Sequence, residues 1–255
     1  MKLLTLFLAL LVAVHVSVAG EICTKTSPTH TIALLELYTS EGCDSCPPAD
    51  RLVQHLQSLT GLSTDQVIPI ALHVNYWDYI GWKDPYAQSW HTERQQTLAH
   101  QSRARGVYTP EFFLSGKELP NWRDDVVARV RRINQQPASA SIQLSSAPMV
   151  DNLVQVQSST DTQQAGELHL ALIESGLISQ VKAGENRGST LSHDAVVRTW
   201  AAPIKLTPGV KRIDRVQLAV PAQANRKNLA VVAFIDNQQG DILQSLELPV
   251  CKTQN

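Results

Sequence analysis

Two cysteines separated by two residues are the first feature of this sequence that could do chemistry. Residues 40–50 read SEGCDSCPPAD, with Cys43 and Cys46 placed between an apolar run and a helical pattern. This strand–turn–helix setting predicts a thiol–disulfide centre, because the start of a helix stabilises a thiolate. We expect Cys43 to be the more exposed cysteine and the attacking thiolate, and Cys46 to resolve the mixed disulfide. With Ser45 as the predicted helix cap, the two prolines that follow Cys46 fall in the first turn, which tolerates them.

The same cysteine pair has two other interpretations. It could be a purely structural disulfide, or it could be part of a metal site in a metal carrier. A structural zinc site needs four protein ligands and no second C-x-x-C exists, whereas copper could be held by two thiolates and a histidine, with His73 as the candidate. A histidine at a strand end is more often an ordinary packed residue, so the sequence predicts no bound metal and no cofactor.

The other two of the four cysteines are Cys23 and Cys251, one near each end of the chain. Both lie outside the predicted regular elements. A disulfide between them would tie the first residues to the last strand, and closing so long a loop is stabilising in the chain-entropy model. We therefore predict a structural Cys23–Cys251 disulfide.

Two further segments complete the predicted redox site. Thr109 and Pro110 precede a short strand, in a spacing that resembles the cis-proline segment of thioredoxin-like oxidoreductases, and would orient the substrate. Glu36 is a charged residue within an apolar strand and either relays protons to the cysteines or pairs with a lysine or arginine. Asp44 lies between the cysteines, where its negative charge disfavours a thiolate and favours a reductant or isomerase-like role.

An aromatic loop, YWDYIGW, follows the second predicted strand. Its rings, Tyr76, Trp77, Tyr79 and Trp82, either form a partner surface or pack as a small satellite core. An exposed aromatic loop supports the main rival function, a non-catalytic binding protein. His193, Asp194 and Arg198, much later in the chain, are predicted to be surface or turn residues.

The elements that must position these residues differ between the two halves of the chain. Strands and helices alternate from 31 to 136, which predicts an α/β domain with parallel pairing. After Pro137 the helical periodicity stops, and short alternating strands separated by turn signals predict an antiparallel, immunoglobulin-like β-sandwich. The predicted domains are therefore residues 24–136 and 137–255.

Composition and the first residues limit the partners and the compartment. Lys2 and an apolar run before Ala19 predict a secretory signal peptide over residues 1–19, with no membrane insertion after its removal. The formal net charge of −1 and the absence of a basic stripe argue against nucleic acid. We expect a periplasmic or secreted protein, where disulfides persist, that acts on a protein or a small thiol or disulfide.

Five segments together carry a family resemblance: LLELYTSEGCDSCPPAD, HVNYWDYIGWKDPYA, TERQ, GVYTPEFFLSGK and GENRGSTLSHDAVVR. In this combination the chain resembles secreted bacterial proteins catalogued as domain of unknown function twelve-twenty-three. The resemblance covers essentially the whole chain after the predicted signal peptide. It implies a thioredoxin-like fold for the first half and an extracytoplasmic location, and it implies no particular activity. Unlike thioredoxin, this chain has Asp-Ser between its cysteines.

Overall fold

A computed structural model describes residues 22–251 of the chain. The predicted signal peptide, residues 1–19, lies outside the described residues. Within the described part, none of the helices combines the length and the apolar character needed to cross a bilayer.

Residues 22–251 form fifteen strands, four α-helices and two short 3₁₀ helices. Strands β1 to β15 are Cys23–Thr26, Ala33–Thr39, Val67–His73, Glu111–Leu114, Lys117–Glu118, Ala140–Ser146, Leu153–Thr162, Gly166–Glu174, Leu177–Gln180, Thr190–His193, Val196–Trp200, Ile204–Leu206, Arg212–Ala219, Leu229–Asp236 and Ile242–Pro249. Helices α1 to α4 are Pro47–Gln54, Leu56–Thr60, Ser89–Ser102 and Trp122–Asn134. The 3₁₀ helices are Asp78–Ile80 and Arg226–Asn228.

One mixed sheet runs through both halves of the chain. Its order is β15-β14-β8-β11-β3-β2-β4-β5, with β12 paired to β8 beside this path. Strands β2 and β3 are parallel, and β11 joins β3 in parallel with Val196 opposite Ala71. The remaining pairs of this sheet are antiparallel. A second sheet has the order β1-β6-β7-β13, and β9 and β10 form a separate hairpin.

The predicted fold class, a thioredoxin-like α/β domain followed by a separate β-sandwich, is wrong. The described chain is mostly β, with large mixed and antiparallel sheets and only four α-helices. Strand β11 lies against β3, where the sheet of an independent first domain would have ended, and β1 belongs to the four-stranded sheet. The reason is physical: apolar periodicity reports which faces of a strand are buried, and it does not report which strand is the neighbour.

Both faces of the large sheet are buried, and this explains the alternation in the second half of the chain. Along β8, Leu168, Leu170 and Leu172 face the core shared with the four-stranded sheet. Ala171 and Ile173, on the other face of the same strand, join the core that packs under the helices. Strand β14 alternates in the same way, because successive side chains of a strand point to opposite faces.

The helical segment after the cysteine pair is only partly as predicted. Gly61 ends it in the left-handed conformation, as its position in the sequence suggests. The segment is broken at His55 into α1 and α2. Leu59, in the second of these helices, is 65% exposed.

The predicted Cys23–Cys251 disulfide is confirmed, and its cysteines are 228 residues apart in sequence. Strand β1 pairs with β6, and Cys251 follows β15 directly. The bond therefore fastens the edge of the four-stranded sheet to the end of the large sheet.

Replacing both Cys23 and Cys251 by serine is expected to lower the free energy of unfolding by about 2–5 kcal/mol, because the long crosslink restricts the unfolded chain. Urea unfolding of the wild type and the variant measures this difference. The matched control replaces Cys43 and Cys46, whose sequence separation is 3, and should change the stability less. Equal unfolding midpoints for the wild type and the Cys23/Cys251 variant would contradict the prediction.

Candidate functional site

The second disulfide joins Cys43 and Cys46, with their Cα atoms 5.5 Å apart. It follows β2 and precedes α1, at the carboxyl ends of the parallel strands β2 and β3. Ligands of parallel sheets commonly bind at this edge. Both cysteines are fully buried, so the expected exposure of Cys43 is wrong, and Asp44 and Ser45 are the exposed residues of the turn.

The start of α1 offers few backbone donors. The N-cap is Cys46, not Ser45 as predicted from sequence, and it has no side-chain cap hydrogen bond. Two prolines, which lack an N–H, occupy the first two helical positions. The next amide, that of Ala49, already donates to the carbonyl of Cys46 at 2.8 Å. The free amides from which we expected thiolate stabilisation are therefore absent or engaged.

Glu41, two residues before Cys43, is fully buried, and its carboxylate accepts two hydrogen bonds. Its Oε2 accepts a hydrogen bond from the indole of Trp82 at 2.8 Å. Its Oε1 accepts one from Nε2 of His193 at 3.2 Å. The backbone N–H of Glu41 donates to Asp84 Oδ2 at 2.8 Å, so this residue connects the cysteine turn to the loop that follows β3.

His193 lies between two carboxylates. Its Nδ1 is 3.9 Å from Asp50 Oδ1, too far for a hydrogen bond but close enough for a strong charge interaction. Burial disfavours the charged imidazole, but Asp50 and Glu41 outweigh burial and raise the pKa of His193 to about 10. The side chain is 2% exposed, so the prediction that His193 is a surface residue is wrong.

His73 and Asp84 form a second buried ion pair beside the first. The Nδ1 of His73 donates to Asp84 Oδ2 at 2.7 Å. Burial alone would raise the pKa of Asp84, but the charge and hydrogen bond of His73, with two backbone amides, lower it below its ordinary value. The two imidazole rings of His73 and His193 meet edge to face with their centroids 4.8 Å apart.

The structure does not assemble the metal site considered for His73. Its Nδ1 is engaged by Asp84, and its Nε2 is buried without a hydrogen-bond partner. Over residues 22–251, no three His, Cys, Asp or Glu side chains are arranged to hold a metal ion. His91, whose Nδ1 donates to the carbonyl of His73 at 2.8 Å, has its pKa lowered to about 4 by burial.

A segment from the second half of the chain clamps the cysteine turn. The side-chain amide of Asn186 donates to the carbonyl of Glu41 at 2.9 Å and to that of Cys43 at 2.8 Å. Glu185 accepts a hydrogen bond from the amide of Asp44 at 3.1 Å. This segment, residues 184–193, includes β10, which packs against α1, and it covers the disulfide from the side.

The Thr109–Pro110 peptide bond is cis, as the resemblance of this segment implied. Trp77 connects it to the cysteine turn: its indole donates to the hydroxyl of Thr109 at 2.7 Å. A Cβ on Gly42 would lie 3.0 Å from the Cβ of Trp77, which explains the glycine directly before Cys43. The assignment of Thr109 and Pro110 to substrate orientation stays a prediction.

Glu36 makes its contacts away from the cysteines. Its carboxylate receives two hydrogen bonds from the guanidinium of Arg94, at 2.7 and 2.9 Å, and one from the hydroxyl of Tyr38 at 3.1 Å. Burial and the charge of Glu36 raise the pKa of Tyr38. The arginine pairing is therefore the interpretation of Glu36 that the structure favours over a proton relay.

Glu111 is a buried acid that the sequence analysis did not identify, directly after Pro110. Its Oε2 accepts a hydrogen bond from the amide of Gln95 at 2.6 Å, while its Oε1 is buried without a partner. Burial raises the pKa of Glu111 to about 7. The carboxyl group is therefore partly protonated near neutral pH.

The aromatic loop divides between the site and the solvent. Tyr76, Trp77 and Trp82 are partly buried, and the last two donate hydrogen bonds within the site. Tyr79 alone among the four rings of the loop is largely exposed, at 81%. A partner surface at this loop stays a prediction, and it would depend on Tyr79.

Sequence reasoning missed most of the polar residues that surround the disulfide. One signal was available, since these residues flank the cysteines or stand in three of the other segments that carry the family resemblance. What the spacing could not show is that a segment about 150 residues away in sequence packs against the cysteine turn. The missed residues are Asp50, Asp84, Glu111 and Asn186, while His193 was predicted only as a surface or turn residue.

One of the comparisons with known proteins names a family, and the description of that family assigns no activity. A family model described as "Protein of unknown function (DUF1223)" matches residues 34–236. A crystal structure of a protein from Agrobacterium tumefaciens is similar, with a TM-score of 0.64 and 25% identity over 89% of this chain and 97% of that one. No curated protein matches significantly. The matched range contains Cys43, Cys46 and His193, and it leaves the Cys23–Cys251 disulfide outside.

Replacing Asn186 by alanine is expected to accelerate reduction of the Cys43–Cys46 disulfide by a small phosphine. The change removes both hydrogen bonds from Asn186 to the cysteine turn and leaves the buried carbonyl of Glu41 unpaired, at a cost of about 1–3 kcal/mol. The carbonyl of Cys43 keeps only the amide of Cys46, at 3.3 Å. Mass spectrometry after timed alkylation measures the rate of reduction.

Asn134 provides the matched control, because its amide also donates to two carbonyls, those of Thr31 and Gln66, both at 2.9 Å. Asn134→Ala should lose similar stability and leave the reduction rate of Cys43–Cys46 unchanged. Equal acceleration in the two variants would show that general destabilisation, and not the clamp, governs access.

Replacing Glu111 by glutamine is expected to flatten the dependence of stability on pH. The pKa of Glu111 is raised from 4.5 to about 7 in the folded chain, so its favourable contribution is complete below 4.5 and is lost as the pH rises through 7. The difference amounts to about 3 kcal/mol at most. Urea unfolding of the wild type and Glu111→Gln between these pH values measures it. Glu93→Gln, at an exposed position of α3, is the control, and identical pH slopes for wild type and Glu111→Gln would contradict the prediction.

Proposed function

We propose a thiol–disulfide oxidoreductase function for this chain, which belongs to the family of proteins of unknown function DUF1223. The reactive group is the Cys43–Cys46 pair. Its substrate is a protein or a small molecule that carries a thiol or a disulfide. The proposed role is that of a reductant or an isomerase, not of a primary oxidant.

The observation that carries the proposal is the set of buried ionisable groups around the disulfide. Glu41, Asp50, His73, Asp84 and His193 are all buried near the cysteine turn. Burying charges costs free energy even when they are paired, and a disulfide that serves only as a crosslink gains nothing from them. Within this cluster the pKa of Asp84 is lowered and that of His193 is raised, and ionisable groups with shifted pKa values are concentrated at functional sites.

The proposed exchange proceeds in two steps. A thiolate of the reduced pair, Cys43 by our assignment, attacks one sulfur of a substrate disulfide and forms a mixed disulfide, while the other substrate sulfur leaves and takes a proton. Cys46 then attacks Cys43, releases the second substrate sulfur and closes the Cys43–Cys46 bond. The substrate gains two electrons and two protons, and an external thiol or dithiol reduces the pair again.

Access to the sulfurs requires a local opening, because both cysteines are fully buried. The clamp formed by residues 184–193 is the segment that must move, since Asn186 and Glu185 hold the backbone of the turn through hydrogen bonds. Asp44 and Ser45 are already exposed at the edge of the turn. Substrate would therefore approach from this edge.

The compartment is part of the proposal. Two disulfides fit an oxidising environment, because the cytosol keeps most thiols reduced. We propose a periplasmic or secreted protein, in agreement with the signal peptide expected from the sequence. A reductant in such a compartment depends on a dedicated supply of electrons from a thiol donor.

Equilibration of the protein with glutathione redox buffers tests the proposed function. The Cys43–Cys46 pair is expected to be reduced and reoxidised reversibly in the folded protein, with a potential of roughly −200 to −270 mV, because nearby carboxylates disfavour the thiolate. Alkylation and mass spectrometry measure the reduced fraction of each cysteine pair. The Cys43→Ser/Cys46→Ser double variant shows which signal belongs to this pair.

A pair that is reduced only when the protein unfolds would be a structural disulfide, and the proposed function would then be wrong. A potential above about −150 mV would instead assign the protein to the oxidants. The second result would retain the redox activity but overturn the proposed direction of electron flow.

A further inference from the structure

We propose that His193 is a positioning residue that sets the redox equilibrium of the Cys43–Cys46 pair by balancing the two carboxylates that flank it. The inference rests on the proposed function and extends it to a residue of the second half of the chain. His193 acts through Glu41 and Asp50, and it has no assigned contact with the substrate.

The two carboxylates stand on either side of the disulfide along the chain. Glu41 precedes Cys43 by two residues, and Asp50 follows Cys46 by four. Cys46 already has helical backbone angles, so Cys46 and Asp50 lie on the same face of α1, one turn apart. Both carboxylates are buried, and His193 is 3.2 Å from one and 3.9 Å from the other.

His193 is the cation that these carboxylates share. Among the described residues, no lysine or arginine forms an ion pair with Glu41 or Asp50. The other titratable groups that face the His193 ring are His73, at 4.8 Å between centroids, and Tyr86, at 5.8 Å. The Nδ1 of His73 is engaged by the carboxylate of Asp84 and makes no contact with Glu41 or Asp50.

The more distant groups do not replace His193. Arg198 stacks on Tyr86 with its guanidinium carbon 5.1 Å from the ring centroid, and it is bound to Glu174. The exposed acids Asp44 and Glu185 at the edge of the turn are screened by water. The raised pKa of His193, about 10, agrees with a cation held between two anions.

Because the start of α1 offers few backbone donors, the charge of His193 matters more for the stability of a thiolate there. A thiolate near a helix N-terminus is ordinarily stabilised by free amides. In this chain the first two helical positions are prolines, and the amide of Ala49 is already bonded. Besides the hydroxyl of Ser45, which lies 3.3 Å from the Cys43 sulfur, a positive side chain is then a local source of stabilisation for a thiolate of the reduced pair.

The sign of the effect follows from the charges. Without His193, the carboxylates of Glu41 and Asp50, two residues before Cys43 and four after Cys46 in sequence, lose their shared cation and disfavour a third negative charge nearby. Reduction by a dithiol transfers two electrons and two protons to the disulfide, and the dithiol itself becomes a disulfide. A less stable thiolate disfavours the reduced pair, so the equilibrium with the external dithiol shifts toward the Cys43–Cys46 disulfide.

The test measures the equilibrium of the full chain with dithiothreitol for the wild type and His193→Gln. We expect the equilibrium constant to shift about tenfold toward the disulfide, which is about 30 mV for two electrons. The pH at which half of the reduced pair is thiolate, read from its ultraviolet absorbance, should rise by about one unit.

Three further variants separate charge from structure. His193→Lys, which restores the positive charge, should return both values toward the wild type. Asp50→Asn should shift the equilibrium in the opposite direction, toward the dithiol, and it keeps the proposal testable if His193→Gln does not fold. His169→Gln is the control, because this buried histidine is bonded to Asp236 and lies outside the cysteine site.

Two outcomes would overturn the inference while the wild type still cycles reversibly. One is an unchanged equilibrium in both His193→Gln and Asp50→Asn. The other is an equal shift in His169→Gln, which would mark a general structural effect. A wild type that does not cycle at all refutes the proposed function itself, so the two failures are distinguishable.

Discussion

The parallel pairing of β11 with β3 is the constraint on which the rest of the structure depends. It joins strands from the two halves of the chain, which would otherwise form separate sheets, into one sheet. Because β11 must lie beside β3, the residues just before β11 reach the carboxyl ends of β2 and β3. The segment 184–193 is thereby placed against the cysteine turn. The candidate site is a consequence of this single strand pairing, since the first half alone supplies the cysteines but not their cover.

The site combines two features with opposite effects on stability. Buried carboxylates and imidazoles near the disulfide cost free energy in desolvation, and their mutual pairing recovers only part of it. The clamp of Asn186 and the disulfide itself hold the turn in place against that cost. A centre of this kind is stable when closed, and its reactivity depends on how readily the clamp opens. Stability and access are therefore in competition at the same residues.

The sequence allowed the local chemistry to be predicted better than the architecture. The prolines in the first turn of α1 and the left-handed Gly61 follow from short-range rules, and the structure agrees with them. The Cys23–Cys251 disulfide followed from the two cysteines left over near the chain ends, and the cis bond before Pro110 from the resemblance of its segment. The fold class was wrong because alternation along β8 reports two buried faces and leaves the neighbouring strand undetermined. His193 was misjudged for the same reason: nothing adjacent to it in sequence indicates that Glu41, 152 residues earlier, would become its partner.

Glu41 and His193 are synthesised at different times, because they are far apart in the sequence although they are in contact in the fold. At ribosomal rates, the 152 residues between them take on the order of ten seconds to be made. During that interval Cys23, Cys43 and Cys46 exist without Cys251 and without the clamp. A short loop closes far more readily than a long one. Cys43 and Cys46, separated by 3 in sequence, can therefore bond to each other before Cys251, the partner of Cys23, has been synthesised. Because Cys43 and Cys46 are so close in sequence, pairing between them is favoured over pairing of either with Cys23 before the sheet that buries them is complete.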